Sequence, residues 1–217
     1  MNPGVLNIDR ARIFAVFSIA AGVLSFAVLV ASFQPPAVPG QELATFASQR
    51  AGYLVLAVVV LTWAVLSTPF VVALGHVLNQ KSHSLAQTAT ILSAAGILLL
   101  SFGVFIHVGA MLSIVAAGSP PNPADARYQA AIWTNLGYYL TDPGLMAWGF
   151  GQFLFGWLAW RGGVLPNWVS ILGMIGGVAG LLTLAVYQTA TLALIQIFCF
   201  GLWGILTGIV LFRSSKQ

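Results

Sequence analysis

Six stretches of this chain contain no Asp, Glu, Lys or Arg: 13–33, 53–78, 88–117, 144–160, 168–187 and 191–212. Crossing a hydrocarbon layer of about 30 Å takes about 20 apolar residues in a helix. Each stretch is continuously apolar rather than alternating, which excludes the strands of a membrane barrel. Backbone groups in lipid must bond within their own segment, so each stretch reads as a helix. Only 6% of the residues are charged, against about 25% in soluble domains. A surface so poor in charge belongs in lipid. The fold class predicted is therefore all-α: a single six-transmembrane-helix bundle over residues 1–217. The first stretch follows Arg10 and Arg12 as a signal peptide would. At 21 residues it exceeds the roughly 7–15 of a signal core, so it reads as a retained span.

The charges between the stretches set the orientation. With the N terminus inside, the inner segments hold Arg10, Arg12, Lys81, Arg161, Arg213 and Lys216 against Asp9 alone. The outer segments hold Arg50 and Arg127 against Glu42, Asp125 and Asp142. Basic residues concentrate on the cytoplasmic side of membrane proteins. Both termini are thus expected in the cytoplasm, and the location expected is a cell membrane, the inner membrane of a bacterium. Tyr53, Tyr128, Tyr138, Tyr139 and Tyr187 fall at the outer boundary, and Trp160 and Trp168 at the inner one.

The linker before the fourth span opens Ser-Pro-Pro-Asn-Pro. Asn122 and Pro123 fit an N-cap and a first-turn proline. Ile132, Trp133, Leu136, Tyr139 and Leu140 then share one helical face, predicting a short amphipathic helix on the outer membrane surface. Asp142 and Pro143 fit a second such start, for the fourth span. Gly173 with Gly177, Gly176 with Gly180, and Gly204 with Gly208 are small-xxx-small pairs, which let helix backbones approach. Spans five and six are therefore expected to form a tight hairpin, with Gly149 and Gly156 serving the fourth. Pro69 predicts a kink in the second span.

Few groups here can do chemistry. His107 stands in the outer part of the third span, level with Asp142. Tyr138, Tyr139, Tyr187 and Gln188 belong to the same layer, making a candidate polar pocket. Opposed to it is the plainer reading, in which Asp142 caps a helix and His107 bonds a neighbouring one. His76 lies near the inner end of its span, too far from His107 for both to ligate one haem. Gln152 and Gln196 are candidates for bonding across the bundle or lining a cavity. Cys199 has no second cysteine with which to form a disulfide. No phosphate loop, metal-ligand cluster, nucleophile elbow or mid-span carboxylate is present in the sequence. No metal and no cofactor is implied, and eight scattered basic residues do not make a nucleic-acid surface.

One local pattern carries a resemblance. A span ends in Trp160 and Arg161, followed by Gly162, Gly163, Leu165 and Pro166, then by the glycine-rich stretch from Gly173 to Gly180. This resembles an uncharacterised bacterial six-span membrane family, domain of unknown function 4386. Asn167 stands where that family often has a basic residue. The resemblance implies the six-span fold and no reaction. The leading functional expectation is binding of a lipophilic small molecule or of another membrane protein, in contact with the bilayer. An enzyme or transporter using the outer pocket, and an accessory or self-associating subunit of a larger complex, are the other two.

Overall fold

The computed structural model describes residues 8–32, 42–116, 123–185 and 190–214. Every element among them is a helix: α1 (Ile8–Ser32), α2 (Glu42–Ser48), α3 (Arg50–Leu78), α4 (His83–Ala116), α5 (Pro123–Gly162), α6 (Asn167–Ala185) and α7 (Ala190–Ser214). Four contain stretches long and apolar enough to cross a membrane: Arg12–Ser32, Arg50–Leu78, His83–Ala116 and Thr191–Arg213. Asn167–Thr183 of α6 is apolar but shorter.

The long helices form a ring in chain order. Each of α3 to α7 packs on the long helix before it, and α7 closes the circle against α1. Aromatic side chains from α3, α5 and α7 fill the middle. Phe200 is the hub, with ring centroids 4.9 Å from Trp148 and 5.9 Å from both Trp63 and Phe70. These rings meet edge to face, the geometry their quadrupoles prefer. Trp63, Trp148 and Phe200 are all buried, so the ring's axis is plugged at this level.

The expected separate helix before the fourth span is not separate. α5 runs unbroken through Asp142 and Pro143 for 40 residues, about 60 Å, twice the hydrocarbon thickness. Asp142 is therefore not an N-cap. Pro143 removes one intrahelical N–H, but it lies on the exposed side of α5, as does Tyr139 one turn earlier. The freed carbonyl thus faces outward, while the opposite side of the helix stays clamped to α4.

That clamp is a seam of glycines spaced by seven. Gly96 and Gly103 of α4 meet Gly144 and Gly137 of α5, and Gly151 continues the α5 row against Ala89 and Ser93. A Cβ on Gly96 would stand 2.5 Å from the Gly144 carbonyl oxygen, and one on Gly103 would stand 2.7 Å from that of Gly137. A Cβ on Gly151 would stand 2.7 Å from the Ala89 carbonyl. A seven-residue period keeps such a row on one side of a helix over many turns.

A second row on α5 packs on α6: a Cβ on Gly156 would lie 2.7 Å from the Ser170 carbonyl oxygen, and one on Gly149 would lie 2.9 Å from that of Gly177. Gly204 and Gly208 do not serve the α6–α7 hairpin. They face α1, where a Cβ on Gly208 would lie 2.8 Å from the Ala15 carbonyl oxygen. The Ser18 hydroxyl donates to the Gly204 carbonyl at 2.6 Å across the same contact. The hairpin instead sets Gly173, Gly176 and Gly180 against Trp203, Cys199 and Gln196 of α7.

Two glycines of α4 should respond oppositely to substitution. Gly96→Val drives a side chain into the α5 backbone and should cost about 2–3 kcal/mol. Gly109 has nothing within 4 Å of its would-be Cβ, so Gly109→Ala is predicted to stabilise. The gain expected is about 0.5–1 kcal/mol, from lower backbone entropy in the unfolded chain. Thermal unfolding in mild detergent reads both; equal losses would contradict the seam.

Candidate functional site

Polar atoms are gathered around the aromatic plug. The Trp63 indole N–H donates to the Ser25 hydroxyl at 2.8 Å, tying α3 to α1. Gln196 Nε2 donates to the Leu145 carbonyl at 3.1 Å, tying α7 to α5. Gln152 is fully buried, and neither its Nε2 nor its Oε1 has a partner. Its amide lies on Gly176, and the Gln196 amide lies on Gly180, one turn further along α6. The two glutamines thus border one glycine face without bonding each other. An unpaired buried amide costs about 1–3 kcal/mol.

The layer of His107 and Asp142 separates into two sides of α5. His107 packs on the α3 side: its ring lies 6.2 Å from that of Tyr53, edge on. Tyr53 stacks on Phe46 of α2 at 4.7 Å. Gly137 makes room, since a Cβ there would stand 3.0 Å from His107 Cβ. Phe46, Ala57, Val108, Met111 and Ala130 close a second small core beneath. Tyr138, which interacts electrostatically with Tyr53, is exposed, and so is Tyr139.

Asp142 is half-buried one residue beyond Thr141, whose backbone and hydroxyl face Gly103. One residue is about 100° of helix, which turns Asp142 onto the Gly149–Gly156 row that packs on α6. No hydrogen bond or ion pair joins it to His107 among the described residues. Tyr187 and Gln188 lie outside the described residues.

The α3–α4 contact is more open than the α4–α5 seam. It leaves an apolar groove of about 380 Å³, with Ala64 and Ser101 on its floor. Leu61, Val65, Leu98, Phe102 and Phe105 line it and are themselves exposed on the outside of the ring. The groove's hydroxyls are engaged within their own helices: Thr68 donates to the Ala64 carbonyl at 2.9 Å and Ser101 to that of Ile97 at 2.7 Å. What remains to a ligand is hydrocarbon surface and hydroxyl lone pairs. At the far end of α3, a recess of about 400 Å³ contains His76 and His83. His83 Nδ1 pairs with Asn79 Oδ1 at 2.6 Å. Among the described residues, no three of His, Cys, Asp or Glu gather in metal-binding geometry.

A helical ring with four helices apolar enough for a membrane is thus in place. The profile of the family described as Domain of unknown function (DUF4386) matches residues 13–194. The chain belongs to that family. No curated protein and no solved structure matches it. The matched region of this DUF4386 member includes the seam, the α3–α4 groove and Gln152, and ends just before Gln196 and Phe200.

Sequence reasoning missed the seam, although the spacing of seven is visible in both segments. It also missed α2 and the groove, which depends on small residues from two helices meeting. For this DUF4386 protein, Gln152→Met should raise stability by about 1–3 kcal/mol, because it removes an unpaired buried amide. Gln196→Met should gain less, since it also deletes the bond to Leu145. Thermal unfolding of the two variants side by side measures the difference; a loss at Gln152 would show that its amide is paired.

Proposed function

We propose that this is a six-span membrane protein of a bacterial inner membrane, with both termini cytoplasmic, that binds a lipophilic small molecule in the α3–α4 groove. The groove itself carries the reading. Its volume of about 380 Å³ falls at the lower end of small-ligand sites, about 300–1,000 Å³, and its lining is almost wholly apolar. It opens on the outside of the ring, so a hydrocarbon-rich molecule enters sideways from lipid. Helix lengths and the distribution of Lys and Arg support the topology.

The pocket reading built on His107 and Asp142 has less support, since the two stand on different sides of α5 and share no bond. The ligand class is a molecule of mostly hydrocarbon surface with at most one or two hydrogen-bond donors, which the Ser101 and Thr68 oxygens accept.

Val65 and Leu98 flank the groove from outside, so Val65→Trp and Leu98→Trp fill it without entering the plug. Native mass spectrometry of protein released from membranes is expected to show an apolar molecule bound to the wild type. Either variant should reduce it by about tenfold, the effect of losing roughly 1.4 kcal/mol of binding. Val16→Trp, on the outer face of α1, should leave it unchanged. Equal occupancy in all four proteins would remove the groove as the site.

A further inference from the structure

Two cations meet at one end of the bundle with no carboxylate between them among the described residues. Lys81 stands in the α3–α4 turn, and Arg161 in the last turn of α5. The α4–α5 seam brings these ends together. The Lys81 stem lies across Gly162, with Cγ at 2.9 Å and Cε at 3.2 Å from where a Cβ on that glycine would stand. The Arg161 guanidinium carbon sits 5.2 Å from the centroid of the Trp157 ring, which holds it by cation–π attraction. Both side chains, with Ser82, line a recess of about 420 Å³ whose apolar wall is Leu85, Trp157 and Leu158.

Asp125 and Asp142 are far from this end. Asp142 precedes Arg161 by 19 residues of continuous helix, about 28 Å at helical rise. Asp125 is a further 17 residues, about 25 Å, away. The partial negative charge at the α5 C terminus accounts for one neighbouring cation. The α3 C terminus at Leu78 likewise favours Lys81, and the two cations in one recess still repel each other.

We propose that this recess binds the headgroup of an anionic phospholipid. One phosphate takes charge-assisted hydrogen bonds from Lys81 Nζ and the Arg161 guanidinium and a third from the Ser82 hydroxyl. The acyl chains leave over Leu85, Trp157 and Leu158. Basic pockets between helices at the cytoplasmic membrane surface suit such headgroups. This rests on the topology proposed above, which puts the Lys81 end in the inner headgroup layer. It does not involve the α3–α4 groove.

The test is native mass spectrometry of the full chain released from vesicles of equal phosphatidylcholine and phosphatidylglycerol. Wild type should keep phosphatidylglycerol in preference. Lys81→Gln and Arg161→Gln should each lower the preference by about fivefold, as expected of one basic side chain at a headgroup. Lys81→Arg should keep it, which separates lost charge from misfolding. Unchanged preference in the double Gln variant, or none in the wild type, overturns the proposal. Displacement of the lipid by millimolar inorganic phosphate would make free phosphate the ligand and also overturns it. A companion measurement labels Ser82→Cys in a Cys199→Ala background with an impermeant maleimide. Reaction only from the cytoplasmic face is expected. Reaction only from outside would sink the orientation while leaving the lipid result to stand or fall by itself.

Discussion

Contact of backbone with backbone along the α4–α5 glycine seam is the constraint on which the rest of this bundle depends. Lipid tails are as apolar as leucine, so burying leucine between helices gains little there. Association must come from dispersion at close range, and removing side chains is how two backbones come within range. The seam extends from Ala89 opposite Gly151 to His107 opposite Gly137, most of the length of α4. Similar approaches join α5 to α6 and α1 to α7. Among the other contacts of the ring, α3 on α4 is where it leaves room.

The consequences reach both ends of the molecule. At one end the seam sets the α3–α4 turn beside the last turn of α5, which is why Lys81 crosses Gly162 and shares a recess with Arg161. At the other it carries α5 onward past Pro143, so that α2 and Tyr53 have a surface to dock on through Phe46 and His107. In the middle, edge-to-face pairs around Phe200 close the axis. Each such pair adds about 0.5–1.5 kcal/mol beyond the area it buries. An open axial pore is incompatible with that plug, which turns attention to the lateral groove and the recess.

Much of this was legible in the sequence, and the failures have physical causes. The uncharged stretches and the family resemblance depend on composition and a local motif, which survive without tertiary knowledge. The break expected at Asp142-Pro143 rested on capping preferences worth about 1 kcal/mol. Backbone contacts at Gly137, Thr141 and Gly144 outweigh that, and no local rule contains them. Small-xxx-small pairs are spaced by four, whereas the longest seam uses seven. Depth along a helix follows from counting residues, which sets His107 and Asp142 in one layer. Azimuth depends on which neighbour each face meets, and the single step from Thr141 to Asp142 carries the carboxylate to the other side. α2 has only seven residues and no period to read; Phe46 packing on Tyr53 is what holds it.

The continuity of α5 is the most direct test of whether the seam governs the fold. Spin labels at Tyr128→Cys and Trp160→Cys, both exposed positions, in a Cys199→Ala background report it by pulsed electron–electron resonance in lipid nanodiscs. An unbroken helix places the two labelled backbones about 48 Å apart at 1.5 Å per residue. A helix that stopped at Asp142 and turned at a right angle along the membrane surface would bring them to about 34 Å, and that distance would contradict the account.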